Sequence, residues 1–412
     1  MNPPASSRYS GAAQGCTGAP RARRDVPLTI CDSRGVSRRP ARSSHRPAKA
    51  GKTRKPGKKK AGHAPRRAVR ATRAPDPRPP VVAAGALCWR PGSTSDPSRI
   101  EVLLVRSARW GDWSWPKGKV APGETLPECA VREVTEETGV RPALGLPLPS
   151  VGYRLPDGRD KTVHYWAGTP GKLVGGLSPE PVSGSAATAP GPAARAEEIA
   201  EAAWLPVREA RARLTRESDL PPLEALLEHA AAGTLRTRPL IVLRHAKARS
   251  RAHWPGTEGD RPLTSVGRSQ ANALPGLLAV WAPEHLLTSP WARCMLTLRP
   301  YLRSRPDPDA GLEILPLLSE QGLRNDPDRV TRLLRTVLDA PEGFGGSLVC
   351  THRPVLETVM AALAPACTPQ ALAGLPAANP WLGTGEALVT HVAASGRIVG
   401  VERFRGEVPG QK

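Results

Sequence analysis

The chain is 412 residues long, more than one ordinary domain needs and enough for two with cores of their own. Its formal net charge of +22 is unevenly placed: residues 1–80 hold 21 Lys and Arg against three Asp, or +18, which leaves only +4 for residues 81–412. Seven cysteines at 16, 31, 88, 129, 294, 350 and 367 form no CxxC pair and are odd in number, so neither a zinc site nor a disulfide framework follows from their spacing. No apolar run reaches membrane-spanning length and no secretory hydrophobic stretch is visible, so a soluble, cytoplasmic protein in a reducing setting is expected.

Residues 1–79 are rich in Arg, Pro, Ser, Gly and Ala around the run "KAGKTRKPGKKK", with almost nothing apolar to bury; a disordered basic tail is predicted. Two readings of it stay open. Clustered cations gain from counterion release on nucleic acid, polyphosphate or another polyanion. Equally, this is a solvated tail or translated sequence ahead of the true start, its charge partly a coding bias toward Arg. No aromatic residues interleave with the charges as a stacking platform. The composition is also similar to an organellar transit peptide, but the segment is long, proline-broken and shows little amphipathic pattern.

Order is predicted from "PPVVAAGALCWR" and "IEVLLVRS", two strands of a hairpin. They lead into "WPKGKVAPGETLPECAVREVTEETGV", Trp115–Val140, where a helix is expected between Pro122-Gly123 and Thr138-Gly139. On it Glu133, Glu136 and Glu137 stand at i, i+3 and i+4 and share a face. Such a trio repels itself unless a hard divalent cation reverses the sign; three acids alone would also suit a solvated helix. Arg132, four residues before Glu136 and eight after Glu124, is placed to orient carboxylates, and Gly118 in the preceding turn frees its carbonyl as a further ligand.

The run Gly118, five residues, Glu124, seven residues, Arg132-Glu133-Val134, one residue, Glu136-Glu137, one residue, Gly139-Val140 matches every position of the Nudix box, and residues 80–215 thereby resemble a Nudix hydrolase. The resemblance implies an α/β/α sandwich with a mixed sheet and a loop-helix-loop box. It implies Mg²⁺ (or Mn²⁺) held by Glu133, Glu136, Glu137 and the Gly118 carbonyl, with nucleoside diphosphates linked to another group as substrates. The metal would lower the pKa of a water that attacks phosphorus in line. Glu137, then Glu136, would be the ligand nearest that water, with Arg132 and Glu124 in support. Lys117 and Lys119 are candidates to meet phosphate, and Glu197, Glu198 or Glu201 to supply a further acid; each also suits a plain surface position.

Further along, 141–150 reads as a Pro-rich break, "VGYRLP" and "KTVHYWAG" as strands, and 168–194 as a long Gly/Pro/Ala/Ser loop. "AEEIAEAAWLPVREARARL" predicts strand, turn and helix to about 215, and "PPLEALLEHAAAG" a helical linker over 216–237.

From 238 to 408 the strands "RPLIVLRHAKA", "HLLTSP", "EILPLLSE" and "SLVCTHRP" alternate with helical patterns such as "TSVGRSQANALPGLLAVW", which predicts a parallel-type α/β sheet. Its strand ends would deliver Arg244, His245, Arg293, Glu320 and His352, a cationic pocket for a phosphoryl group. With Leu263, Thr264, Gly267, Gln270 and Thr297, this order resembles the histidine phosphatase superfamily and its phosphoglycerate mutase-like α/β/α fold. The resemblance implies that His245 attacks phosphorus, that Arg244, Arg293 and His352 stabilise the equatorial oxygens, and that Glu320 protonates the leaving oxygen and later activates water. Ala246 departs from the family's usual Gly. Binding phosphate without turnover is the plainer alternative.

The pairing of the two halves, with "WSWPKGKV" before the box, is similar to two-domain MutT-like proteins of mycobacteria over residues 80–408. That likeness implies hydrolysis of 8-oxo-guanosine triphosphates to diphosphates and then monophosphates, or of diadenosine polyphosphates as signal nucleotides. Base choice would fall to residues outside the box, with Arg106, Trp113 and Tyr165 near enough to be candidates. A polyanion-binding protein and a phosphoprotein phosphatase are the competing classes. No sign of oligomeric state is legible.

Overall fold

Two β-sheets with helices packed on them make up the computed structural model, which describes residues 78–92, 100–171, 197–341 and 343–406. The tail expected over 1–79 therefore lies outside the described residues except for its last two, as does most of the expected 168–194 loop.

The first sheet is mixed. β1 (Val81–Pro91) runs parallel to β6 (Asp160–Pro170) and antiparallel to β2 (Ile100–Ser107) and β4 (Lys117–Lys119). β3 (Trp113–Ser114) and β7 (Ile199–Pro206) pair with β2, and β5 (Pro142–Arg154) closes the edge beside β6. β5 overturns the break expected at 141–150. Leu144, Leu146 and Leu148 are all buried, but the register shift at Leu144/Pro147 turns the strand over: Leu144 packs in the cluster beneath α1, and Leu146 and Leu148 in the cluster on the other face. Its prolines are tolerated because no strand lies beyond, and register shifts at Leu144/Pro147 and Leu148/Val151 absorb the missing donors.

Helix α1 (Leu126–Thr138) covers one face. It opens on a capping box in which the Thr125 N–H donates to the Glu128 carboxylate at 2.9 Å, carries Pro127 in its first turn, and ends on Gly139 at φ 75°. Short helix α2 (Val207–Arg213) and α3 (Leu220–Ala231) cover the other face. α3 is where a linker was expected. Instead Leu223 and Leu226 are fully buried in the same cluster as Leu146, Val151, Tyr165 and Leu205, because its apolar residues recur on one side at helical spacing.

The second sheet has the order β10-β9-β11-β8-β12-β13. β8 (Thr237–Arg244), β9 (His285–Thr288), β10 (Leu312–Ile314) and β11 (Ser347–Thr351) are parallel, while β12 (Glu386–Ala393) and β13 (Ile398–Arg405) are antiparallel. Alternation along β8 sorts the layers: Ile241 and Leu243 face α5 (Leu274–Ala279) and α6 (Ala292–Arg303), whereas Leu240 and Val242 face α8 (Pro327–Leu338) and α9 (Arg353–Leu363). The stretch expected as one helix from Thr264 breaks at Ala273 into α4 (Ser265–Asn272) and α5, since Pro275 can only sit in a first turn. Short helix α7 (Glu320–Asn325) precedes α8, and α10 (Pro369–Gly374) follows α9.

Both sheets belong to one compact unit and share core. Val131 and Val134 of α1 lie in one apolar cluster with Leu274, Leu277 and Trp281. At its edge the Trp166 indole donates to both oxygens of Glu402 at 3.1 and 3.0 Å, and His391 Nε2 lies 2.8 Å from the same carboxylate. Among the described residues no helix is long and apolar enough to cross a membrane.

Candidate active sites

The first site lies where α1 faces β4. Burial of Cys129, Val131 and Val134 sets the rotation of the helix, and Glu133, Glu136 and Glu137 remain on its open side. Arg132 gathers the acids. Its Nε and Nη2 donate to the two oxygens of Glu124 at 2.8 and 2.9 Å, and its Nη1 donates to Glu133 Oε1 at 2.9 Å and Glu136 Oε2 at 3.0 Å. Glu137 Oε2 accepts the Lys117 backbone N–H at 2.9 Å. Glycine at 118 lets Glu133 sit against the turn, because a Cβ there would lie 2.0 Å from its carboxyl carbon and push the carboxylate aside. The Gly118 carbonyl is met by Cys129 Sγ at 3.6 Å.

Burial pushes the Glu137 carboxyl up to about 8 against the pull of Lys117, with Glu133 and Glu198 adding to the rise. Burial also raises Glu133, opposed by Arg132. Hard oxygen donors strained in this way suit a divalent cation, and the Gly118 cradle keeps Glu133 close to the turn. Among the described residues no three acids, histidines or cysteines are already drawn together as an ion-binding group; Arg132 holds one oxygen each of Glu133 and Glu136 instead.

The cations around this site differ in availability. Lys117 Nζ is engaged internally, donating to Ser114 Oγ at 2.8 Å and the Trp115 carbonyl at 3.1 Å, whereas Lys119 is exposed. Lys161 and Arg216, which the sequence did not single out, flank the Tyr153 ring at 5.8 Å each. Burial, then Lys119 and Arg216, push the Lys161 ammonium down while Glu137 and Glu133 pull it up, so it stands in the field of the carboxylates. Of the further acids, Glu201 is exposed in β7 and pairs with Arg106 at 3.3 Å; Glu197 and Glu198 are also exposed, and Glu198 acts on Glu137. Trp113 is half-buried under the Arg213 guanidinium at 5.2 Å.

Tyr165 is buried, and its hydroxyl has no hydrogen-bond partner. The same is true of Oδ2 of Asp219, a residue the sequence reading missed. Burial raises the pKa of both groups and so disfavours their ionised forms, and Asp219 pushes up both Tyr165 and Tyr153. Asp219 precedes a proline-opened helix and so reads as an N-cap, yet its side chain caps nothing; its backbone is what is used, the carbonyl accepting the Trp115 indole N–H at 2.8 Å and the N–H donating to the Arg216 carbonyl at 3.0 Å. Buried polar atoms without partners call for water or ligand.

The second site lies at the carboxyl edge of β8, β9 and β11. Arg293, fully buried in the first turn of α6, is its hub: Nε lies 3.2 Å from His245 Nε2 and 3.1 Å from His352 Nδ1. His245 Nδ1 is 2.8 Å from the Ala246 carbonyl, which places the proton on Nδ1 and leaves Nε2 the lone pair. Burial pushes the His245 imidazole down to about 3 against the Ala246 carbonyl's pull, and Arg293 and Arg244 push it further; burial, Arg293 and His245 likewise lower His352. The loop after His245 is pinned by the Ala246 N–H donating to Thr297 Oγ1 and the Lys247 N–H to Gln270 Oε1, both at 2.9 Å. The Ala246 methyl is accommodated, fully buried.

Arg244 differs from its expected role in one respect. Its Nη1 donates to the Leu382 carbonyl at 2.6 Å, and its Nε is buried without a partner. Glu320 is not at a strand end as expected. β10 stops at Ile314, a 3₁₀ turn (Pro316–Leu318) forced by Pro316 follows, and Glu320 opens α7 behind the Ser319 cap. Glu320 Oε1 then accepts from Arg293 Nη2 at 3.0 Å, and Oε2 from Arg251 Nη2 at 2.5 Å. Arg251, Glu258 and Arg261, all from the charge-dense loop after His245, complete the network and were not singled out in the sequence.

A carboxylate helix on a mixed sheet, followed by a histidine and arginine cluster on a parallel one, defines a hydrolase of phosphoric anhydrides coupled to a phosphatase. Residues 79–226 match the sequence model of the NUDIX domain, and residues 240–325 that of the histidine phosphatase superfamily (branch 1). The chain is 32% identical over 282 residues to the 8-oxo-(d)GTP phosphatase of Mycolicibacterium smegmatis, covering 67% of this chain and 78% of that protein. It belongs to that family of two-domain Nudix and histidine phosphatase proteins. Similar solved structures include the protein histidine phosphatase SixA complexed with tungstate (22% identity, 41% of this chain and 97% of that one, TM-score 0.32). Another is an Ap4A hydrolase binary complex from C. elegans (22% identity, 37% of this chain and 96% of that one, TM-score 0.27).

Proposed function

We propose that the protein removes oxidised guanine nucleotides from the pool, taking 8-oxo-dGTP or 8-oxo-GTP to the diphosphate at the Glu133–Glu137 face and the diphosphate to the monophosphate at His245. The observation that carries this is the likeness to the mycobacterial 8-oxo-(d)GTP phosphatase, which spans both sheets rather than one. Glu133, Glu136, Glu137 and the Gly118 carbonyl would hold Mg²⁺ or Mn²⁺, which when bound neutralises phosphate charge and acidifies water. Arg132, through its pairing with Glu124, fixes where the carboxylates point. Glu137 takes the proton of the attacking water, while Lys119 and Lys161 meet phosphate oxygens. Asp219 and Tyr165, whose buried polar atoms lack partners, are assigned to reading the base. In the second site His245 Nε2, neutral at physiological pH, attacks the terminal phosphorus, and Arg244, Arg293 and His352 bear on its oxygens.

Product analysis tests the scheme with 8-oxo-dGTP, dGTP and diadenosine tetraphosphate as competing substrates. Wild-type protein is expected to form the diphosphate and then the monophosphate with two inorganic phosphates released. Glu137→Gln stops the first step, and His245→Ala makes the diphosphate accumulate. Formation of monophosphate with inorganic pyrophosphate in one step would overturn the order, and preference for the dinucleotide would overturn the substrate.

A further inference from the structure

We propose that the His245 site is confined to phosphoryl groups whose leaving group departs without a proton, phosphoanhydrides above all, because Glu258 and Glu320, the carboxylates bound to the Arg293 that meets His245, are locked to arginines, as is Glu386 near Arg244 to Arg405. This deepens, and rests on, the reading of that site as a phosphatase. A general acid must carry a proton to the leaving oxygen. Here all four carboxylate oxygens of Glu258 and Glu320 face guanidinium donors. Those of Glu320 are held by Arg293 and Arg251 at 3.0 and 2.5 Å. Glu258 Oε1 is held by Arg261 Nη2 at 2.6 Å, Arg293 Nη2 at 3.1 Å and Arg251 Nε at 3.3 Å, and its Oε2 by Arg261 Nε at 3.2 Å. A proton on any of them exchanges a charge-assisted hydrogen bond for a neutral one. Burial raises the Glu258 carboxyl, but Arg261, Arg293 and Arg251 outweigh it and hold the group below its usual range.

The same clamp decides the charge of the pocket. Five guanidinium groups (Arg244, Arg251, Arg261, Arg293 and Arg353, which acts on Arg244) against three carboxylates (Glu258, Glu320 and Glu386, which also acts on Arg244) leave two positive charges for a dianionic phosphoryl group. With a nucleoside diphosphate, the Nε2 electron pair of His245 forms the N–P bond as the bridging P–O pair leaves with the monophosphate. The conjugate acid of that leaving group has a pKa of about 6, so no proton is needed. Water oxygen then attacks phosphorus, the N–P pair returns to Nε2, and one water proton passes to solvent; each turnover consumes one water and yields one monophosphate and one inorganic phosphate. An alkyl ester would have to expel an alkoxide about as basic as hydroxide, whose conjugate acid water has a pKa of about 16. The site therefore stops at the nucleoside monophosphate, whose remaining phosphate is esterified to a sugar alcohol.

The test uses the full chain carrying Glu137→Gln to silence the first site and follows inorganic phosphate from GDP, p-nitrophenyl phosphate, phenyl phosphate, ethyl phosphate and GMP. GDP and p-nitrophenyl phosphate are expected to turn over, with kcat/KM for ethyl phosphate and GMP lower by about 10³-fold or more, the contribution a missing acid withholds. Glu320→Gln and Glu258→Gln are expected to lower p-nitrophenyl and phenyl phosphate cleavage by the same factor, since both act on the arginines. Turnover of GMP or ethyl phosphate within about tenfold of GDP overturns the inference, that being too small a gap for an absent acid. So does a loss in Glu320→Gln that deepens from p-nitrophenyl to phenyl phosphate, and so does inert GDP. Failure of the phosphatase reading is distinct: phosphate release would then survive His245→Ala.

Discussion

Arg132 and Glu124 form a two-pronged pair, Nε to Oε1 at 2.8 Å and Nη2 to Oε2 at 2.9 Å, and the remaining guanidinium nitrogen spans Glu133 and Glu136. Lysine cannot make that fork. Arg132→Lys is expected to lower kcat/KM for triphosphate cleavage by about 10²-fold through misplaced carboxylates. Release of phosphate from diphosphate by the same variant should stay within twofold of wild type on the order-of-magnitude scale of independent sites. Equal losses at both sites, measured by separate assays, would mean the fold and not the alignment had failed.

Gly118→Ala places a methyl where Glu133 now sits, 2.0 Å from its carboxyl carbon. The carboxylate has to move, at a cost of about 1–3 kcal/mol in stability by thermal melts. EDTA should abolish triphosphate cleavage in wild type and spare the diphosphate step, and the magnesium concentration restoring half activity should rise in Gly118→Ala. An unchanged magnesium titration would remove Glu133 from the cation's surroundings.

Asp219→Asn and Tyr165→Phe alter polar atoms that have no partner within the protein. Each keeps its shape, so melting temperature should hold or rise slightly. KM for 8-oxo-dGTP should climb by about tenfold or more, as losing a hydrogen bond to a charged group predicts, with kcat little changed. A drop in kcat at constant KM would move these residues from base reading to chemistry.

The pH behaviour of His245 follows from its surroundings. Burial holds its folded pKa near 3, against 6.5 for the free group, so its ring resonances should show no inflection between pH 8 and 5 by NMR. The unfolded chain binds that proton below 6.5 and the folded one does not. Stability from this group is therefore full above pH 6.5 and falls as pH drops from 6.5 toward 3. A His245 titration near neutrality would contradict the neutral nucleophile.

What could be read from the sequence was mostly local. The spacing of Glu133, Glu136 and Glu137 and their reach to Arg132 depend only on helical geometry. Arg244, His245 and His352 follow strands whose apolar runs are unmistakable. Other features depended on distant partners. Glu258 becomes part of the second site because Arg293, 35 residues on, donates to its carbonyl. Asp219 looks like an ordinary cap until Trp115, 104 residues earlier, takes its carbonyl and leaves the carboxylate aside. β5 was hidden by its prolines and by the register shift that sends Leu144 to one face and Leu146 and Leu148 to the other, and Glu320 was displaced from the strand end by Pro316.

The continuous apolar cluster beneath α1 bears on how this molecule is dissected. Leu274, Leu277 and Trp281 complete a layer that Val131 and Val134 begin. Cutting the gene between the halves would bare that flank to water, so a silent fragment would report a spoiled seam and not a missing reaction. A lineage that dispensed with one chemistry would still have to carry its scaffold as ballast.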